Sequence, residues 1–166
     1  VRNILRPWIM FIRNIPPLAY VPLIVLSAGV GRRPQIITIT IATLLIMCIT
    51  IYQGVMNIDD TLIRAARVLG AKDKDIFIRV IAPASLPFIM TAVRLGASTA
   101  LTTLIAAEST GAMAGLGMRI RTLNSNFDND PMLLYIILIG ILGLIVEKLI
   151  DFAERKLTGW QEKREA

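Results

Sequence analysis

The sequence predicts an all-α, polytopic membrane protein, and three observations carry that expectation. Mean hydropathy is +0.65 with only 18% charged residues, whereas water-soluble domains run nearer a quarter charged. The apolar residues gather into four long runs, 14–30, 34–56, 88–107 and 131–146. A helix needs roughly 20 such residues to cross about 30 Å of hydrocarbon. Lys and Arg are placed unevenly around the runs. They crowd into the lead-in (Arg2, Arg6, Arg13), a polar island at 59–87 and the C-terminal tail, leaving Arg32, Arg33, Arg119 and Arg121 on the other side. The positive-inside rule then puts the N-terminus, the island and the C-terminus in the cytoplasm. About four transmembrane helices result, and the net charge of +6 reflects topology without requiring nucleic acid as a partner.

The first run is interrupted by Pro16, Pro17 and Pro22, so its helix is expected to bend inside a bundle, with Arg13 snorkelling at its inner end. "GVGRRP" makes an outer turn, with Pro34 as the first residue of the next helix. That helix carries Thr38, Thr40, Thr43 and Thr50, which either bond their own preceding carbonyls or line a polar path. In the third run, Gly96, Ala97, Ser98 and Ala100 permit close helix approach. Arg94, ~9 Å into this helix from Phe88, must face protein or snorkel. A Gly-rich polar segment, 109–130, follows on the outside. The last crossing starts at Pro131 behind an Asp130 cap and runs on past the bilayer, where Asp151 and Arg155 form an i,i+4 pair. Trp160 suits an interfacial anchor. Cys48 stands alone and histidine is absent, so no metal or disulfide framework is expected.

The island, "DDTLIRAARVLGAKDKDIFIRVIAPASLP", holds five basic and four acidic residues. Asp59 and Asp60 are N-cap candidates and Gly70 suits a helix stop, giving about three turns. At 100° per residue Leu62, Ala65, Ala66 and Leu69 share one face and Arg64 and Arg67 the other. A second short helix is expected, capped by Asp73 and stopped near Pro83, with Pro87 starting the membrane helix. By physics alone this is either an interfacial linker or a docking element for a soluble partner.

"RAARVLGAKDKDIFIRVIAP" resembles the cytoplasmic EAA loop of binding-protein-dependent ABC-importer permeases. That pattern is Glu-Ala-Ala, three residues, Gly, nine residues, then Ile-x-Leu-Pro. Ala65, Ala66, Gly70 and Pro83 match at that spacing, while Arg64, Val80 and Ala82 depart from it. "IRNIPPLAYVPLIVLSAGVG" and "AAESTGAMAGLGMRI" are similar to segments of permeases for nitrate, taurine and aliphatic sulfonates. The resemblance implies a single type I importer-like transmembrane domain over 1–166, with 59–83 as its coupling loop. It also implies a chain truncated before Val1, since family members usually carry further helices there.

It further implies a permease subunit in the cytoplasmic (inner) membrane of a prokaryote, moving a small solute, an anion such as nitrate, a sulfonate or bicarbonate. Its partners would be a cytoplasmic ATP-binding subunit, a second permease copy, an extracytoplasmic solute-binding protein and membrane lipid. No Gly-x4-Gly-Lys-Ser/Thr loop occurs in the chain, so it would not be the enzyme: ATP and Mg²⁺ would sit on the partner. Leu62, Arg64, Ala65, Ala66, Arg67, Leu69, Gly70 and Pro83 are the coupling candidates. Thr102, Thr103 and Glu108 are candidates for the translocation path, with Glu108 alternatively holding loop amides or Arg119. Arg32, Arg33 and Arg119 could concentrate anions at the outer face. Two rival readings are a non-transporting membrane scaffold or assembly subunit, and an ion-gradient-driven transporter, which would favour a mid-membrane carboxylate absent from 35–56 and 131–146.

Overall fold

A computed structural model describes residues 15–158, all helix and connection with no strand among them. A 3-10 turn, Pro17–Tyr20, leads into α1, Val21–Ala28. Then come α2, Arg32–Met56; α3, Asp60–Val68; and α4, Asp73–Ile76. A π-helical turn, Phe77–Ile81, joins α4 to α5, Ala82–Gly111, and α6, Leu116–Ser125, precedes α7, Asn129–Leu157. Three stretches are long and apolar enough to cross a membrane: Arg32–Met56, Asp73–Gly111 and Asn129–Leu157. These correspond to three of the four expected crossings. In the fourth, Pro22 within the first turn opens an α1 of only 8 residues, because Pro16, Pro17 and Pro22 withhold the amides a longer ladder requires. Arg2, Arg6, Arg13, Trp160, Lys163 and Arg164 lie outside the described residues.

Several boundaries moved from their expected places. Helix α2 begins two residues before Pro34, after Gly29 and Gly31 turn the chain at φ +81° and +130°. Helix α7 begins at Asn129, so Pro131 sits in its first turn. The Gly-rich segment 109–130 is not wholly irregular: α5 persists to Gly111 and α6 occupies ten of the residues that follow.

The described chain falls into two compact units. One comprises residues 15–43 with Thr99–Ile141; the other comprises Leu44–Ser98 with residues 142–158. In the first unit Val21, Thr38, Ala42, Thr103 and Ala107 are buried. Gly111 lets Val25 of α1 approach α5, and Gly117 lets α6 lie on the Ile105 carbonyl. Thr38 and Thr43 donate to the carbonyls of Pro34 and Ile39 at 2.7 and 2.8 Å. They thus satisfy themselves against their own helix, as threonine in an apolar setting does.

In the second unit α2 and α5 run antiparallel, with Gly54 against Phe88 and Gly96 against Met47. Ala92, between those two positions on α5, is fully buried. Small residues at four-residue spacing on one face allow this approach. No residue of α7 is buried. Most of its Leu and Ile side chains are exposed, while Tyr135, Ile139, Val146 and Ile150 are half-buried along one face, so the rest of its apolar surface is left to meet lipid or another apolar helix.

Candidate functional site

The connection between α2 and α5 is built rigidly at both of its helix ends. Asp59 is extended and its carboxylate accepts from the Thr61 amide at 2.8 Å, capping α3. That amide, followed by the Thr61 hydroxyl and the Arg64 charge, holds the exposed Asp59 carboxyl below its ordinary pKa. At the other end Gly70 takes φ +82°. Ala71 N–H donates to the Ala66 carbonyl at 3.0 Å and Gly70 N–H to that of Arg67 at 2.9 Å. This is a Schellman stop, and glycine supplies its left-handed residue without a Cβ penalty.

The helix so bounded leaves its apolar side chains uncovered. Leu62 is 50% exposed, Val68 87% and Leu69 86%. Ala65 is exposed and Ala66 half-buried, so the flat alanine surface is only partly covered. Arg64 is exposed, and Arg67 meets Asp73 at 3.5 Å, an exposed pair that joins α3 to the start of α4.

Downstream the expected second stop is absent. Lys72, extended and without a side-chain bond, occupies the cap position and Asp73 is the first helical residue, where its charge suits the helix dipole. From Asp73 the helix continues through Pro83 and Pro87 to Gly111. The π turn accounts for this. Ala82 N–H reaches back five residues to the Phe77 carbonyl, and the wider turn absorbs the ring of Pro83 that an α ladder would reject. Around Pro87, the Ser85 hydroxyl donates to the Ile81 carbonyl and Thr91 to the Pro87 carbonyl. A membrane-spanning helix is therefore continuous with the polar connection.

In the first unit, Glu108 accepts from the Gly117 amide at 2.8 Å and packs against Gly115, where any Cβ would lie 2.3 Å from its carboxyl carbon. Glu108 thus holds an amide in the first turn of α6, and Arg119 is not its partner. Instead Arg121 donates to the Ser109 carbonyl at 2.7 Å, and Ser109 donates to the Gly117 carbonyl at 3.1 Å. Thr102 is exposed while Thr103 is 3% exposed. Adjacent helical residues point about 100° apart, so only Thr102 offers a surface.

One constellation went unrecognised in the sequence. Arg94 Nη2 donates to Asp151 and Glu154, both at 2.6 Å, and Nη1 lies 3.9 Å from Glu147. Arg94 thereby recruits Asp151 away from the expected local pairing with Arg155. The signal was the spacing of the three acids at i, i+4 and i+7 on one face of α7, but nothing in the sequence says which helix faces them. Arg94, Asp151 and Glu154 line a cavity of about 270 Å³ with Arg155 and Thr158.

Residues 1–159 match the family described as "Binding-protein-dependent transport system inner membrane component". A probable ABC transporter permease protein of Brucella abortus (strain 2308) is 46% identical over 162 residues, 98% of this chain and 65% of that protein. The taurine transport system permease protein TauC of Escherichia coli is 36% identical over 96% of this chain and 58% of its own length. The nitrate import permease protein NrtB of Leptolyngbya laminosa is 28% identical over 96% and 57%. The chain thus spans 57–65% of the length of these relatives. Three helices of spanning length, a capped polar helix between two of them and a family match over nearly the whole sequence agree: the chain belongs to the family of binding-protein-dependent transport-system inner-membrane components.

Proposed function

We propose that this chain is the membrane permease of an ATP-driven importer, and that α3 is where its ATP-binding partner docks. One observation carries the reading: a helix bounded by the Asp59 cap and the Gly70 stop exposes Leu62, Ala65 and Leu69, with Arg64 and Arg67 beside them. Exposed apolar side chains on a water-facing helix cost solvation unless a partner covers them, and a helix-in-groove partner reads such i, i+3, i+7 anchors. The uninterrupted helix from Asp73 to Gly111 supports a mechanical role, because it can carry a push on the loop into the membrane.

On this reading ATP hydrolysis occurs on the partner, and its closure swings the spans of two permease copies between inward- and outward-facing arrangements. Thr102 faces the path, and Glu108 keeps the outer end of α5 ordered beside it. The solute is a small anion of the nitrate, sulfonate or bicarbonate type. The names of the relatives and the outer Arg32, Arg33 and Arg119 support that class, and the solute arrives on an extracytoplasmic binding protein.

The test is co-purification with the ATP-binding subunit, comparing the unsubstituted chain with Ala66→Trp and Gly70→Pro. Both variants are expected to lose association, the first by filling the alanine surface and the second by forbidding φ +82°. Full association and solute-stimulated ATP hydrolysis in both would overturn the docking assignment. Failure of the unsubstituted chain to bind any such subunit would favour the scaffold reading.

A further inference from the structure

We propose that Arg94 is a positioning residue that couples α5 to α7 through a two-register ladder of carboxylates. The proposal rests on the permease reading above. The three acids outnumber the one cation that pairs with them all, with Arg155 beside them in the same cavity: Arg94 bonds Asp151 and Glu154 at 2.6 Å and holds Glu147 only as a longer ion pair at 3.9 Å. A static clamp has no need of the third carboxylate, whose repulsion of the other two costs free energy.

The spacing gives the surplus a purpose. The present seat lies between residues 151 and 154; the alternative seat lies between 147 and 151. Their midpoints differ by three and a half residues, ~5.3 Å along the helix, which is one helical turn. Sliding α7 by one turn past Arg94 therefore exchanges Glu154 for Glu147 and keeps Asp151 bound throughout, the kind of one-turn step that packed helices make between discrete states.

Two further observations support a sliding contact. No residue of α7 is fully buried, and its contact face here, Gly143, Val146, Ile150 and Ala153, is only half-buried, so the packing that a shift must re-seat is shallow. All four charged side chains are 31–54% exposed, which leaves room for the guanidinium to re-seat. Arg94 also belongs to the same continuous helix as the π turn and Pro83, so a push on the connection reaches it without a break.

The deciding experiment uses the complete transporter, permease with its ATP-binding subunit and binding protein, reconstituted in vesicles, and reads solute moved per ATP hydrolysed. Glu147→Gln leaves both 2.6 Å bonds in place, yet removes the second seat. The ladder requires at least about a fivefold fall in solute per ATP, at the lower edge of ordinary coupling energies, with ATP hydrolysis retained. Arg94→Ala is expected to fall further and Arg94→Lys to recover part of the loss. Coupling unchanged in Glu147→Gln would overturn the two-register ladder even if Arg94→Ala fails to fold. A reference transporter that shows no ATP-dependent uptake would overturn the permease reading itself, and this inference with it. Active, normally coupled variants would overturn only the ladder.

Discussion

Replacing Gly54 by alanine tests the close approach of α2 and α5. The added Cβ would lie 2.2 Å from Phe88 Cβ, 2.3 Å from its Cγ and 2.8 Å from its Cδ1. Carbon atoms settle at about 3.5–4.0 Å, so the two helices must separate by at least about 1.3 Å at this point. Rotating the phenyl ring does not help, because the Phe88 Cβ is fixed by the backbone. Forced separations of this kind cost about 1–3 kcal/mol. The loosening would extend to the Gly96–Met47 contact, eight residues or ~12 Å along α5 from Phe88. Thermal unfolding of the purified protein in detergent measures the loss. Two companions sharpen it. Gly54→Ala with Phe88→Ala should stay destabilised, since alanine keeps the offending Cβ, whereas Gly54→Ala with Phe88→Gly should recover packing at that point. Gly140→Ala serves as the reference, because nothing lies within 4 Å of a Cβ there. If Gly54→Ala unfolds at the same temperature as Gly140→Ala, the steric reasoning is refuted.

Other substitutions probe the remaining features. Gly70→Ala should cost about 1–2 kcal/mol through its left-handed φ of +82°, read as a loss of protection at the Ala71 amide in hydrogen exchange. Glu108→Ala strands the buried Gly117 amide and should cost about 1–3 kcal/mol, seen as a lower unfolding temperature. Glu108→Gln, which keeps an acceptor, should lose less. Because the folded Asp59 pKa is depressed, its capping contribution is fully present above the ordinary carboxylate pKa. That contribution disappears as pH falls through the lower folded value. Hydrogen exchange at Thr61 should therefore speed up in acid beyond its intrinsic rate, and Asp59→Asn, whose side-chain oxygen caps without titrating, should abolish that pH dependence.

Much of the fold could be read from the chain because its signals are local. Asp59, Gly70 and the alternation of apolar and basic residues between them specify a short, capped helix from φ preferences and backbone hydrogen bonding within a dozen residues. The apolar runs specify spans because backbone polar groups in hydrocarbon must pair within their own helix. Pro83 and Pro87 misled for the same reason. Proline ends helices by a local rule, and the π turn that accommodates it depends on how Phe77–Ile81 winds. Helix α6 was hidden in a stretch rich in glycine, where propensity favours loop.

The sequence by itself determined three of the long apolar helices, the capped polar helix between two of them and the likeness to importer permeases. Those properties follow from residues close together in the chain. Only the tertiary structure decided that Glu108 serves the Gly117 amide, that Gly54 meets Phe88 and that Arg94 takes Asp151 from Arg155. Each of these choices is a competition between a local partner and one brought from another element, nine to some sixty residues away. Its outcome depends on which helix faces lie together, and a charge or a glycine carries no record of that in its neighbours along the chain.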